Sequence, residues 1–166
     1  MEPVLAAQMP RIDLVPPQRL LVVDDDENLQ YLYLEMFQQL GHSCVGAGTA
    51  EEAIKQMARR NFDIVLTDLN LPGKDGMELL AHTRECYPDV DVIVITGYGE
   101  RYLYTEVIGA GACDFVTKPL RFEELEAKLN RVIRERSIIR ELTRKNQRLE
   151  ELERLVSRRL EEIQVT

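Results

Sequence analysis

IVLTDLNLPGKDG, residues Ile64 to Gly76, changes character halfway along its length. Ile64 to Thr67 have strong strand character and run straight into Asp68, after which Pro72, Gly73 and the pair Asp75-Gly76 force turns. A carboxylate therefore stands at the end of a buried strand. Taken alone, an aspartate before a Pro/Gly-rich loop is usually a turn cap. Two other strand ends alter that balance: Val22-Val23-Asp24-Asp25 closes one apolar run with acid, and Val116-Thr117-Lys118-Pro119 closes another with a lysine.

Working outward, the same punctuation recurs along the chain. Leu20 to Asp24 is a wholly apolar run ending in acid, as a strand covered on both faces requires. Asp26 to Leu40 follows as a helix with apolar residues at 29, 32, 36 and 40, stopped by Gly41. Ser43 to Ala47 is a second strand, and Thr49 to Glu52 is a capping box opening a helix through Arg59, with Ala53, Ile54 and Met57 inward. After the third strand, a helix covers Met77 to Glu85 and ends before Pro88. Val92 to Thr96 is the fourth strand, followed by the loop Gly97-Tyr98-Gly99 and a helix roughly from Arg101 to Gly109. Asp114 to Thr117 is the fifth strand, and a last helix starts at Phe122.

Strands alternating with helices predict an α/β fold, a doubly wound five-stranded parallel sheet with helices on both faces. In such sheets the reactive site lies beyond the carboxyl ends of the strands, near the point where strand order reverses. That rule selects Asp24, Asp25, Asp68, Thr96 and Lys118. Three carboxylates gathered on one rim repel, and a hard divalent cation such as Mg2+ that also takes phosphate oxygens would neutralise them. Lys118 offers a point charge and Thr96 a hydroxyl to a phosphoryl group, so one carboxylate can act as nucleophile in phosphoryl transfer.

The bulk properties exclude other classes. The 166 residues suit one cored domain with an appendage. No apolar run approaches a membrane span, and residues 1–18, with four prolines and no periodicity, read as a flexible leader, so a cytoplasmic protein is expected. Cys44, Cys86 and Cys113 are scattered, which suggests neither a disulfide framework nor a zinc site. Residues 1–119 hold 9 Lys/Arg against 19 Asp/Glu, and residues 120–166 hold 12 against 10. The acidic body argues against nucleic-acid binding, and the mixed signs of the tail suit a solvated helix face.

Taken in order, LLVVDDDENL, LTDLNLPGKDGMELL, VIVITGYGE and GAGACDFVTKPL resemble the receiver domain of two-component response regulators over about residues 19–137. The resemblance implies the flavodoxin-like receiver fold, with a phosphoryl group accepted on Asp68 from a partner histidine kinase. It implies Mg2+ held by Asp25, Asp68 and the backbone carbonyl of Asn70, with Asp24 assisting. It further implies phosphoryl contacts from Thr96 and Lys118, a cis Lys118-Pro119 bond, and a switch in which Thr96 moves and Phe115 turns inward. Phe115 departs from the tyrosine often found there and has no hydroxyl to report its state. Tyr98 and Asn70 fall where the family tunes phosphoryl lifetime. The only covalent chemistry expected is gain and loss of the phosphoryl group at Asp68, with no output enzyme domain.

Other residues have plainer readings. His42 follows a stop glycine and His82 lies on a helix, so neither specifies a phosphorelay histidine. Asp26 and Glu27 suit a helix N-terminus, and Gly109 to Ala112 lacks the Lys-Ser/Thr of a phosphate loop. From Phe122 onward there is no glycine or proline. With Leu142, Leu149, Val156 and Ile163 at heptad position d, Val132, Ile139, Asn146, Glu153 and Leu160 fall at a. This predicts a helical extension over 138–166 that dimerises as a coiled coil, with Asn146 favouring parallel register and Glu153 weakening the seam. The helix 4, strand 5, helix 5 face is a second expected dimer surface. Two alternatives stand beside this reading: a Mg2+-dependent aspartyl-phosphate phosphohydrolase, disfavoured because Leu69-Asn70 replaces the second acid two residues on, and an unphosphorylated coiled-coil scaffold.

Overall fold

A computed structural model describes residues 15–97 and 104–165. Residues 1–14 of the expected leader, together with Tyr98, Gly99 and the expected start of a helix at Arg101, lie outside the described residues. Among those described, the elements run β1 (Arg19–Val23), α1 (Glu27–Gln39), β2 (Ser43–Ala47), α2 (Ala50–Arg59), β3 (Ile64–Asp68), α3 (Gly76–Cys86), β4 (Asp91–Thr96), α4 (Tyr104–Gly109), β5 (Asp114–Thr117) and α5 (Phe122–Gln164). All pairings are parallel, in the order β2-β1-β3-β4-β5. The chain steps from β1 outward to β2 and then returns to the other side of β1 for β3. The order therefore reverses between β1 and β3.

The apolar runs explain the layers. Leu21, Val23, Val65, Val92 and Val94 face one side of the sheet and pack with Ala50, Ala53, Met57, Leu79, Leu80 and Val107 from α2, α3 and α4. The alternate residues Leu20, Val22, Ile64, Leu66, Ile93 and Ile95 are equally buried and lie on the other face. Tyr33 and Phe37 are the buried side chains of α1, and Leu125 and Leu129 those of the first turns of α5. Burying such side chains contributes about 1.5–3 kcal/mol each.

The buried stripe of α1 differs from the expected one. Leu32 and Leu40 are exposed, and Tyr33 and Phe37 point inward instead. Tyr31, Leu32, Tyr33, Leu34, Met36 and Phe37 give this helix two overlapping apolar stripes, and the stripe with the larger rings is the one buried.

Caps set the helix starts. Asp26 accepts from Asn28 and Leu29 N–H groups, and Thr49 from Glu52. The expected capping box at Thr49 is only half formed, because Glu52 accepts from the Gly48 N–H at 2.8 Å. A complete box forms at Asp75 and Glu78. Gly41 ends α1 at φ +92°, and Gly111 follows α4 at φ +104°, a conformation that costs glycine nothing.

Contacts divide the chain into two units, residues 1–130 and 131–166. In the second, i,i+4 ion pairs such as Glu141–Lys145 lie on the surface. Ile138, Ile139, Leu142, Leu149, Leu152, Leu155, Val156, Leu160 and Ile163 are all exposed. Val132, which the heptad places in the same seam, is buried. No described helix is long and apolar enough to cross a membrane.

Candidate functional site

The reversal of strand order places the ends of β1 and β3 side by side, and the acidic residues follow from it. Asp68 is the last residue of β3 and 2% exposed; Asp24 follows β1 directly and is 1% exposed; Asp25 is exposed. Carboxylate oxygens of Asp24, Asp25 and Asp68 lie within 4.8 Å of one another. Lys118 reaches the group from beyond β5, its Nζ 2.5 Å from Asp68 Oδ2, and its peptide bond to Pro119 is cis. The Lys118 N–H donates to the Thr96 carbonyl at 2.7 Å, which ties the ends of β4 and β5 together. Thr96 is partly exposed on the same rim.

The oxygens of Asp68 are unequal. Oδ2 holds Lys118, while Oδ1 accepts the Asn70 N–H at 3.0 Å. The loop after Asp68 folds tightly back: the Gly76 N–H donates to the Leu69 carbonyl at 2.9 Å, and a Cβ at position 76 would collide with the backbone of Asp68 and Leu69. Only glycine permits α3 to start so close to the end of β3.

Asp24 has the more strained electrostatics. Its Oδ1 accepts the Asp26 N–H at 2.9 Å, whereas Oδ2 is buried without a partner among the described residues. Burial raises its pKa above the ordinary carboxylate range, the Asp26 N–H works against that, and the nearby Asp68 adds to it. Three carboxylates face one lysine, and one buried oxygen is orphaned. This donor set fits a hard cation with oxygen ligands.

Several supporting residues carry no local sequence signal. Gln30 Nε2 donates to the carbonyls of Asp24 at 3.0 Å and Ala47 at 2.9 Å, a position open because a Cβ on residue 46 would overlap the Gln30 amide. Glycine at 46 is the one hint the sequence offers. Glu51 on α2 accepts the Lys74 N–H at 3.2 Å and so holds the loop after Asp68. Phe115 is partly buried, in tilted contact with the Tyr104 ring and close to Lys128 Nζ. His42 sits at the opposite edge of the sheet, where its Nδ1 accepts the Gln18 N–H at 3.0 Å; Gln18, the last residue of the expected leader, is buried there. His82 lies on α3 beside Tyr87 and Cys86.

Comparison with known proteins agrees with this geometry. Residues 20–130 match the response regulator receiver domain family. Over 120 residues the chain is 37% identical to the two-component response regulator PhoP of Pseudomonas aeruginosa, covering 72% of this chain and 53% of that protein. It is 35% identical over 107 residues to the response regulator FleR of the same organism, covering 64% and 23%. The chain thus spans about half or less of the length of these relatives. Among solved structures, a CheY-like receiver domain protein from Methanospirillum hungatei superposes with a TM-score of 0.69 at 27% identity, covering 74% of this chain and 98% of that one. NtrX from Brucella abortus gives 0.72 at 28% identity, covering 77% and 30%. With its family match, its strand order and its acidic rim in agreement, this chain belongs to the response regulator receiver domain family.

Proposed function

We propose that the chain is a phosphorylation switch in which Asp68 accepts a phosphoryl group from a histidine kinase. The observation that carries this is the buried Asp68 carboxylate at the end of β3, joined to Lys118 and gathered with Asp24 and Asp25 on one rim. An oxygen of Asp68 attacks phosphorus, the N–P bond of a phosphohistidine breaks, and its electron pair and a proton end on the imidazole nitrogen. Lys118 then shares its ammonium between Asp68 and a phosphoryl oxygen, and Thr96 donates its hydroxyl to another. Mg2+ would be held by Asp24, Asp25, Asp68 and the Asn70 carbonyl, where it would offset the charge of the acids and the phosphoryl group. Movement of Thr96 and Phe115 then alters the α4-β5-α5 face, which a downstream partner or a second copy reads.

The receiver occupies residues 19–137 and the extension 138–166. The exposed seam of Ile139, Leu142, Leu149, Val156, Leu160 and Ile163 pairs with a second copy in parallel, with the two Asn146 side chains facing each other. No direct contact with nucleic acid is assigned to this chain.

Intact mass after treatment with acetyl phosphate and Mg2+ tests the switch. Wild type gains one phosphoryl group and Asp68→Asn gains none. Equal uptake by both, or uptake by neither while the protein remains folded, would overturn the reading. Light scattering tests the seam separately: wild type is a dimer and Leu149→Glu/Val156→Glu a monomer, whereas a monomeric wild type contradicts the coiled coil.

A further inference from the structure

Lys128, on the first turns of α5, meets the side chain of Phe115 in a way the phosphoryl chemistry does not require. Its Nζ donates to the Phe115 carbonyl at 2.7 Å and lies 5.0 Å from the centroid of the Phe115 ring. It is also 3.5 Å from Glu124 Oε1 and 3.9 Å from Asp114 Oδ1. The Phe115 ring meets the exposed Tyr104 ring at a centroid distance of 4.5 Å and an interplanar angle of 48°.

An ammonium near an aromatic face is drawn to the ring quadrupole, and tilted aromatic pairs at this spacing attract. Glu124 and Asp114 both pair with the charge of Lys128 and help keep it beside the ring. Both ring contacts depend on Phe115 keeping its present, partly buried position. The bond to the Phe115 carbonyl does not, because the backbone of β5 is fixed by its pairing with β4.

We propose that Lys128 is a positioning residue that holds Phe115 in its present, partly buried position, so that its charge sets how readily the ring turns further inward when Asp68 is modified. This rests on the receiver reading above. An interaction made in one of two states biases the equilibrium toward that state by its own free energy. A cation–ring contact of ordinary strength therefore shifts the balance about two- to fivefold. Phe115 has no hydroxyl through which a hydrogen bond could hold it, and the clasp of Lys128 and Tyr104 takes that part.

The experiment measures beryllofluoride binding in Mg2+ for wild type, Lys128→Gln and Lys128→Arg, with 4-fluorophenylalanine in the protein and the position-115 19F signal assigned by Phe115→Leu. Glutamine retains a donor for the Phe115 carbonyl and removes the charge; arginine retains both. For Lys128→Gln the beryllofluoride midpoint falls about two- to fivefold, and the position-115 signal of the unliganded protein moves toward its bound value. Lys128→Arg stays near wild type on both readouts. A Lys128→Gln protein with wild-type midpoint and signal, or with weaker binding, overturns the clasp while leaving the receiver reading intact. A wild type that takes up no beryllofluoride overturns the receiver reading and the proposal together.

Discussion

At the edge of the sheet where the strands begin, Asp63 uses both carboxylate oxygens. Oδ2 accepts the Arg19 N–H at 2.8 Å and its Nε–H at 3.1 Å, and Oδ1 accepts Nη2 at 2.9 Å. At the edge where the strands end, Asp24 leaves Oδ2 buried and unpartnered among the described residues, and the carboxylates of Asp24, Asp25 and Asp68 gather where Lys118 binds Asp68. Aspartates at opposite ends of the strands of the same sheet thus serve opposite purposes. The Asp63 carboxylate is satisfied within the fold and stabilises it; the rim carboxylates are left short of positive charge, which a ligand can supply. Buried carboxylates are normally paired, so the rim that leaves one of them orphaned is the one to associate with function.

In the metal-free protein the largest effect on stability should come from the edge where the strands begin. Asp63→Ala leaves the Arg19 N–H without its acceptor and should cost about 2 kcal/mol, while phosphoryl uptake per folded molecule stays unchanged. Urea denaturation combined with intact mass measures both. A comparable loss of phosphoryl uptake would erase the distinction between the edges.

The unsatisfied edge should respond to metal. At about 100 times its dissociation constant, Mg2+ should stabilise wild type by about 2.7 kcal/mol, and Asp25→Asn should lose most of that gain. Because Asp25 is exposed, the substitution should change metal-free stability by no more than about 0.5 kcal/mol. Thermal unfolding with and without Mg2+ measures this pair of values, and equal Mg2+ stabilisation of the two proteins would place the cation elsewhere.

The smallest effect is a pH dependence at the edge where the strands begin. Burial lowers the pKa of His42, and its Nδ1 must be unprotonated to accept the Gln18 N–H. The unfolded chain therefore binds the proton first, so stability is full above the ordinary histidine pKa of about 6.5 and falls as pH drops below it. His42→Asn, whose side-chain oxygen can take the same N–H, should flatten stability between about pH 6.5 and 5.5. An unchanged slope would assign that acid sensitivity to other groups.

Much of this contrast was legible in the sequence, for a physical reason. Strands buried on both faces are short continuous apolar runs, and their ends are marked where Asp24, Asp68 and Lys118 interrupt them. Parallel connectivity then fixes which ends share an edge. The α1 stripe was misplaced because its apolar residues satisfy two helical faces at once, and only packing against the sheet chooses between them. Gln30, Glu51 and Lys128 leave no mark in the sequence because their partners are backbone groups or rings 13 to 23 residues away, such as Ala47, Lys74 and Phe115. No local period encodes such contacts. His42 and Gln18 became interpretable only once β1 and β2 were paired.

The most direct measurement uses the fact that both kinds of aspartate fall on one tryptic peptide, Asn61 to Lys74, which contains Asp63 and Asp68. Borohydride reduces an acyl phosphate to an alcohol and so converts a phosphorylated aspartate to homoserine. After acetyl phosphate, Mg2+ and borohydride, fragmentation of this peptide should place homoserine at position 68 and leave Asp63 intact. Homoserine at position 63, or an unmodified peptide from folded protein that has gained phosphoryl mass, would contradict the account.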